Sequence, residues 1–145
     1  IGRCGQARLD SSPRLDAAMD ELHHRQLIEH YLQAYNRFDI DAMLAVLAHN
    51  VRFENHSGGQ LTMVTEGVDA FGELARQSAR LFREREQRLL ALVFDGDRAT
   101  ATIGWRGVFA QDVPDGPRAG TELELQGQSE FVFAGGRIER IIDRS

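Results

Sequence analysis

Lysine is absent from the sequence, and all 17 basic residues are arginine. Without a lysine amine, Schiff-base catalysis, pyridoxal-phosphate attachment and a P-loop lysine are excluded. Cysteine occurs once, as Cys4, in a polar stretch that does not resemble folded sequence. One cysteine cannot form an internal disulfide, a CxxC redox pair, a four-cysteine zinc site or a protein-held iron–sulfur cluster. The chemistry that remains is acid–base catalysis, hydrogen bonding or ligand binding, and we expect no cofactor.

Long apolar runs are also absent, since no segment approaches the roughly 18 residues of a membrane span. The N-terminus lacks the apolar segment of a secretory signal, so we expect a cytoplasmic protein with no membrane partner. The net charge is −5 and the pI is near 5.5. No basic run is dense enough to follow a phosphate backbone, so we expect no nucleic-acid partner.

An arginine-rich segment at residues 76–88 comes nearest to a basic patch. Its arginines alternate with Glu73, Glu84 and Glu86, a pattern that favours the solvated end of a helix over a binding patch. The arginines are Arg76, Arg80, Arg83, Arg85 and Arg88.

The 145 residues, 42% of them apolar and 27% charged, have the size and composition of one globular domain. Residues 1–18 are polar and aperiodic, and the chain starts at Ile1 rather than methionine. We therefore predict that residues 1–18 are a disordered or cloning-derived extension, with Met19 the natural start. Residues 19–145 are predicted to form the single domain.

Hydrophobic periodicity predicts three helices and then a sheet. The helices cover about residues 19–37, a second segment capped by Asp39 and ending near His49, and residues 68–83. Period-two alternation predicts strands at Val51–Asn55, Leu61–Val64, Leu89–Phe94, Ala99–Ala110, Glu122–Phe133 and Arg137–Asp143. Short glycine turns between the later strands indicate hairpins and a mostly antiparallel sheet. The fold class is α+β, with the three helices covering one face of a curved sheet.

This order of elements resembles the cone-shaped nuclear-transport-factor-2-like superfamily over residues 20–145. The residues that carry the resemblance are Tyr31, the segment Asp39-Ile40-Asp41 and the closing pattern from Gly136 to Asp143. The superfamily includes ketosteroid isomerase, scytalone dehydratase, limonene-epoxide hydrolase and SnoaL-type polyketide cyclases. The resemblance implies a curved sheet around a deep, mostly apolar pocket, and often a homodimer built on the outer sheet face. It does not specify the activity, because this fold hosts many chemistries and also non-enzymes.

The match to particular enzymes of the superfamily is partial. Tyr31 occupies the place of the oxyanion-hole tyrosine of ketosteroid isomerase, but Asn55 and Ser129 replace its two aspartates. Residues 52–55 resemble the water-holding segment of limonene-epoxide hydrolase, with Phe53 in place of its tyrosine. Asp143 falls on the aspartate that activates that water and also resembles the late aspartate of SnoaL-type cyclases. An arginine-x-aspartate pair of the hydrolase is at best Arg106-Gly107-Val108, which lacks the acid.

The residues themselves leave two interpretations open at most of these positions. An amide at Asn55, on one strand face with Val51 and Phe53, needs a hydrogen bond from structure or from a ligand. Tyr31 lies in an apolar helical stripe, where its hydroxyl bonds either to the main chain or to a ligand. Tyr35 is predicted to be plain core.

Asp143 is predicted either to line the pocket, where desolvation raises its pKa towards neutrality, or to lie in a frayed terminus. Arg106 either binds an anionic group in the pocket or lies on the outer sheet face. Trp105 is predicted either to belong to the core or a dimer interface or to form a surface for the substrate. Ser129 is an inward hydroxyl that bonds either to the main chain or to a ligand. The five histidines show no metal-binding spacing, so we predict that they are solvated and that no metal is bound.

We therefore predict a pocket with Asp143, Asn55 and Tyr31 as catalytic residues. The predicted substrate-binding residues are Phe53, Arg106, Ser129 and Trp105. The expected function is cofactor-independent acid–base chemistry, such as isomerisation, cyclisation or water addition, on a small hydrophobic molecule in a homodimer. The alternative is a non-catalytic binding or interaction module of the same fold.

Overall fold

The computed structural model describes the main chain of residues 2–145 and the side chains of residues 15–145. Within this part of the chain, three helices and six strands form the predicted α+β architecture. In chain order they are α1 (Gly2–Asn36), α2 (Ile40–Ala45), β1 (Leu47–Ser57), β2 (Gln60–Glu66), α3 (Val68–Arg80), β3 (Phe82–Asp95), β4 (Arg98–Phe109), β5 (Glu122–Ala134) and β6 (Arg137–Arg144).

Helix α1 has its predicted apolar face but begins much earlier than expected, at Gly2 rather than near residue 19. Leu15, Met19 and Leu22 are each more than half exposed, so this part of the helix lacks core contacts. Hydrophobic periodicity detects the buried part of a helix, which explains the late predicted start. That residues 1–18 are an extension foreign to the natural chain stays a prediction, and the side chain of Cys4 lies outside the described ones.

The other two helices keep their predicted starts and end earlier. Asp39 caps α2 as predicted, because the main-chain N–H of Ala42 donates to Asp39 Oδ1 at 3.1 Å. This helix ends at Ala45, since β1 already begins at Leu47. Helix α3 begins at Val68 and ends at Arg80, three residues before the predicted end.

The six strands form one open sheet in the order β2-β1-β6-β5-β4-β3. Neighbouring strands are antiparallel as predicted, with one exception: β1 and β6 are parallel. The last strand therefore lies inside the sheet, between β1 and β5, and its side chains occupy a central position. This insertion brings the C-terminal residues next to the first strand.

The arginine-rich segment differs from its prediction. Strand β3 begins at Phe82, so Arg83, Arg85 and Arg88 lie in a strand and not at a solvated helix end. The alternation of arginine and glutamate has the period of a strand, and β3 pairs with β4 along its length. An irregularity in register between Phe82 and Glu84 is a bulge that turns Phe82 and Arg85 to the same face.

The helices pack against the inner face of the sheet. The largest fully buried side chains are Phe131, Ile28, Ile138, Ile141 and Val51, from α1, β1, β5 and β6. Their burial is the main apolar driving force for docking the helices on the sheet. The outer face carries ion pairs instead, among them Arg52–Glu54, Arg98–Glu130 and Arg106–Glu122, each at 2.8 Å. No helix in the described part of the chain is long and apolar enough to cross a membrane.

Gly127 is predicted to be essential for the position of β6. A Cβ atom at Gly127 would lie 2.5 Å from the carbonyl oxygen of Arg144, so Gly127→Ala must push the end of β6 away from β5. We expect the free energy of unfolding to fall by about 1–3 kcal/mol, measured by urea denaturation.

Gly104→Ala is the matched control in the neighbouring strand. A Cβ atom there meets only side-chain atoms, with Leu90 Cδ1 nearest at 3.4 Å, so its stability should stay within about 0.5 kcal/mol of the wild type. Equal stabilities for the two variants would contradict the close approach of β5 and β6.

Candidate active site

A cavity of about 360 Å³ lies between the helices and the inner face of the sheet. Its walls are mostly apolar, formed by side chains such as Met43, Phe71 and Phe109. Leu123 and Leu125, which are exposed, lie at its rim, so the cavity communicates with solvent. Its volume is within the range of small-molecule sites, roughly 300–1,000 Å³.

Three predicted residues form a row across three neighbouring strands. Asn55 on β1 is the register partner of Asp143 on β6, and Asp143 is the partner of Ser129 on β5. Residues in register on adjacent strands point to the same face, and all three line the cavity. The insertion of β6 between β1 and β5 thus assembles a polar group from distant parts of the sequence.

Asp143 is an ordered cavity residue, and the predicted alternative of a frayed terminus is wrong. Strand β6 continues to Arg144, and the Ser129 hydroxyl donates a hydrogen bond to Asp143 Oδ1 at 2.6 Å. Ser129 is 6% exposed, and its partner is this carboxylate rather than the expected main-chain group. The pair holds the carboxyl in one orientation against the cavity.

Burial raises the pKa of Asp143 to about 6, while the hydrogen bond from Ser129 opposes part of that rise. Desolvation disfavours the charged form of a carboxylic acid, which is the physical cause of the upward shift. A group with this pKa exists in both protonation states close to neutral pH. It can therefore take or give a proton under physiological conditions.

Tyr31 supplies a hydroxyl group to the same cavity. Its ring packs against Phe131 and Phe71, with centroid distances of 6.1 and 6.4 Å. No hydrogen bond to a residue within 15–145 is found for the hydroxyl, so of the two predicted alternatives the main-chain partner is absent there. Burial, and then the charge of Asp143, raise the pKa of Tyr31 well above its usual value. The hydroxyl thus remains a proton-bearing donor close enough to Asp143 to sense its charge.

Asn55 makes structural hydrogen bonds and also lines the cavity, so both of its predicted alternatives apply in part. Its Nδ2 donates to Thr62 Oγ1 at 2.9 Å and to Ser57 Oγ at 3.3 Å, which ties the side chain to the hairpin of β1 and β2. These bonds account for the amide donors, while the residue as a whole still lines the cavity. Phe53, two residues earlier, lines the same wall and packs against Phe71.

A second polar group lies on a different wall, formed by α1, β3 and β4. Trp105 Nε1 donates to the Tyr35 hydroxyl at 2.8 Å, and both residues line the cavity. Tyr35 is therefore not the plain core residue that was predicted. The Trp105 ring lies over Gly107, where a Cβ atom would be 2.5 Å from the ring.

Arg85 belongs to this second group and was missed in the sequence. Its Nε donates to the Tyr35 carbonyl at 2.9 Å, and its guanidinium lies 3.7 Å from the Tyr35 ring centroid and 4.4 Å from that of Phe38. Arg85 is only 5% exposed. The alternation of charge along residues 83–86 was the available signal, but arginine and glutamate are also strong helix formers, which favoured the helical interpretation.

Arg106 does not belong to the cavity, so the prediction that it binds substrate is wrong. Neighbouring residues of a strand point to opposite faces, and Trp105 faces inward. The Arg106 guanidinium instead pairs on the outer face with Glu122 at 2.8 Å and Glu84 at 3.5 Å.

The histidines and other metal-binding side chains of residues 15–145 are dispersed. Among residues 15–145, no three histidine, cysteine, aspartate or glutamate side chains lie together as a metal site would require. His23, His30 and His49 are exposed as predicted, whereas His56 pairs with Glu54 at 3.0 Å. His24 stacks on Phe133 with a centroid distance of 3.9 Å, so it is not a freely solvated histidine.

Three helices on the inner face of a curved, mostly antiparallel sheet, enclosing an apolar cavity, define the nuclear-transport-factor-2-like class of folds. Within it, the chain belongs to the SnoaL-like domain family, whose model matches residues 28–141. The resemblance seen in the sequence is thereby confirmed. No characterised, curated protein sequence matches the chain significantly.

Several solved structures share the fold. A proposed polyketide cyclase from Xanthomonas campestris pv. campestris is 26% identical with a TM-score of 0.74, over 86% of this chain and 90% of that chain. TsrD from Streptomyces laurentii is 24% identical with a TM-score of 0.71, over 84% and 87%. An LEH-like epoxide hydrolase from M. tuberculosis is 18% identical with a TM-score of 0.66, over 82% and 79%.

The raised pKa of Asp143 predicts a specific pH dependence of stability. The folded state binds the proton more tightly than the unfolded state, whose pKa is near 3.8. The contribution of this group is therefore fully present below that value and is lost as the pH rises through about 6. The asparagine of Asp143→Asn does not titrate. The free energy of unfolding of this variant, minus that of the wild type, should therefore be about 2–3 kcal/mol larger at pH 8 than at pH 4.

Urea denaturation at both pH values measures this difference, and a difference independent of pH would contradict it. Ser129→Ala provides a second measurement. Removing the hydrogen bond that lowers the pKa of Asp143 should raise the titration midpoint of its carboxyl carbon, followed by NMR.

Proposed function

We propose that this protein is a cofactor-independent enzyme that acts on a small hydrophobic molecule by proton transfer or by addition of water. The observation that carries the proposal is the Asp143 carboxyl, which lines an apolar cavity with its pKa raised to about 6. The fold is shared with proteins named as a polyketide cyclase and an epoxide hydrolase. That likeness is compatible with the proposed chemistry and does not select one reaction.

In the proposed mechanism, the Asp143 carboxylate removes a proton from an acidic C–H group of the substrate or from an attacking water molecule. The hydrogen bond from Ser129 to Oδ1 leaves Oδ2 as the oxygen that accepts the proton. Tyr31 donates a hydrogen bond to the substrate oxygen on which negative charge develops. The neutral carboxylic acid then returns its proton, which completes the cycle.

The remaining cavity residues position the substrate. Phe53 and Trp105 provide aromatic surface for a hydrophobic molecule, and Asn55 borders the carboxyl on the β1 side. Because the two amide hydrogens of Asn55 already bond to Thr62 and Ser57, its contribution to substrate binding is its oxygen. The substrate is therefore held chiefly by apolar contact and oriented by few polar groups.

Replacing the acid–base group tests the proposed function. Asp143→Asn should lower turnover by roughly 100-fold or more, because it cannot accept a proton. Turnover is measured on a panel of epoxides, enones and polyketide-like esters. For a general base, kcat/KM of the wild type should rise with pH through an apparent pKa near 6.

Asp97→Asn is the matched control, since Asp97 is an exposed acid in the turn between β3 and β4 and should leave turnover unchanged. Circular dichroism establishes that both variants are folded. Retained turnover in Asp143→Asn would remove the carboxyl from the mechanism. Ligand binding without turnover on the whole panel would favour the alternative of a non-catalytic binding module, which an accessible cavity also permits.

We also propose a homodimer through the outer face of the sheet. Leu90 and Val93 on β3 are 52% and 66% exposed and do not line the cavity, so they offer apolar surface on that face. Leu90→Asp should shift the mass measured by sedimentation equilibrium from dimer to monomer. A monomeric wild type would contradict the proposal. The cytoplasmic location and the absence of a nucleic-acid partner stay predictions.

A further inference from the structure

Arg85 is a buried cation without a counter-ion in the described part of the chain. It is 5% exposed, and no carboxylate among residues 15–145 lies within ion-pair distance of its guanidinium. Nε donates to the Tyr35 carbonyl, the Tyr35 side chain is close enough to share a further, weaker hydrogen bond, and Nη2 is buried without any partner. Removing a guanidinium from water is costly unless charge or hydrogen bonds compensate. The Nη2 donors therefore have no hydrogen-bond acceptor in the described part of the protein.

The surroundings of Arg85 offset part of the cost of burying its charge. The Tyr35 carbonyl lies in the last turn of α1, where it also accepts from the Phe38 N–H at 3.1 Å and where the helix dipole favours a cation. The rings of Tyr35 and Phe38 contact the guanidinium and attract its charge weakly. Neither the carbonyl nor the two rings provide a partner for Nη2. A purely structural role for Arg85 would thus leave the Nη2 donors unsatisfied in the cavity wall.

Asp143 is not the missing counter-ion. The pKa of Asp143 is raised by burial and lowered only by Ser129, with no effect of Arg85. The two residues lie on strands separated by β5 and β4, and they are also offset along the strands, since Asp143 is level with Ala101 of β4 and Arg85 with Gly107. The cavity therefore has a cation on one wall and a proton-transfer carboxyl on another.

We propose that Arg85 binds an anionic oxygen group of the ligand, such as a carboxylate, with the Tyr35 hydroxyl as a second donor. The guanidinium fork suits two oxygens of one group, and the Tyr35 hydroxyl already accepts from Trp105, so its own proton is available to the ligand. The ligand is then a hydrophobic molecule with an acidic group at one end. This inference names the substrate class of the proposed function, and rests on that function only in placing the ligand in this cavity.

Equilibrium binding tests the inference without requiring turnover. Trp105 is the only tryptophan of the chain and lies in the cavity, so its fluorescence reports ligand binding. The probes are cyclohexaneacetate and cyclohexaneacetamide, which have the same shape and differ in charge. We expect the wild type at pH 7.5 to bind the carboxylate at least tenfold more tightly than the amide, and Arg85→Gln to reduce this preference to less than twofold.

Arg106→Gln is the matched control, because Arg106 is an arginine of the outer face and should keep the tenfold preference. A wild type that binds both probes equally overturns the inference, and this comparison decides the matter even if Arg85→Gln does not fold. An equal loss of affinity for both probes in a folded Arg85→Gln variant also overturns it, since that result assigns Arg85 a structural role only.

The proposed function can fail independently of this inference. Asp143→Asn should retain the preference for the carboxylate, whatever its effect on turnover. A clear preference in a protein that turns over no substrate would support the anion site and contradict the enzymatic proposal. Loss of the preference in Asp143→Asn would contradict the separation of the two sites.

Discussion

A carboxyl group withdrawn from water is the constraint on which this cavity depends. Keeping Asp143 charged at this largely apolar, partly buried position is costly, so hydrogen bonds must compensate. The Ser129 hydroxyl does so from β5, and the parallel pairing of β1 with β6 brings Asn55 to its other side. Because β5 and β6 approach closely at Gly127, the end of β6 that carries Asp143 stays paired with β5. Sheet topology and the environment of the Asp143 carboxyl are thus consequences of the same strand insertion.

The cavity is apolar over most of its wall, and its polar side chains are divided between two places. Asp143, Ser129 and Tyr31 form one group, whereas Arg85, Tyr35 and Trp105 form the other. The pKa of Asp143 is set by its burial and by Ser129, whereas the charges of Arg85 and Asp143 both affect the pKa values of Tyr31 and Tyr35. In the proposed mechanism, such a division orients a ligand by its ends and leaves its middle to hydrophobic contact. It also separates the proposed binding of charge from the proposed transfer of a proton.

Much of the fold could be predicted because local patterns reflect burial. The apolar stripe of α1, the Asp39 cap and the alternation in β4 to β6 each follow from one short segment. The candidate acid could be named from its position in the last strand. Arg106 was misplaced because both faces of β4 mix apolar and polar residues. Arg85 was missed because an arginine–glutamate run has the composition of a solvated helix, and only the pairing of β3 with β4, which places Arg85 opposite Gly107, turns that arginine inward.

The sequence by itself determined the α+β class, the order of the elements and the kinds of chemistry available, since periodicity and composition are properties of the chain. It also named Asp143 as the candidate acid–base residue. Only the tertiary structure decided which of them meet. The row of Asn55, Asp143 and Ser129 and the burial of Arg85 both depend on pairing between strands far apart in the chain. Desolvation of a charged group is set by these distant neighbours, and no local pattern encodes it.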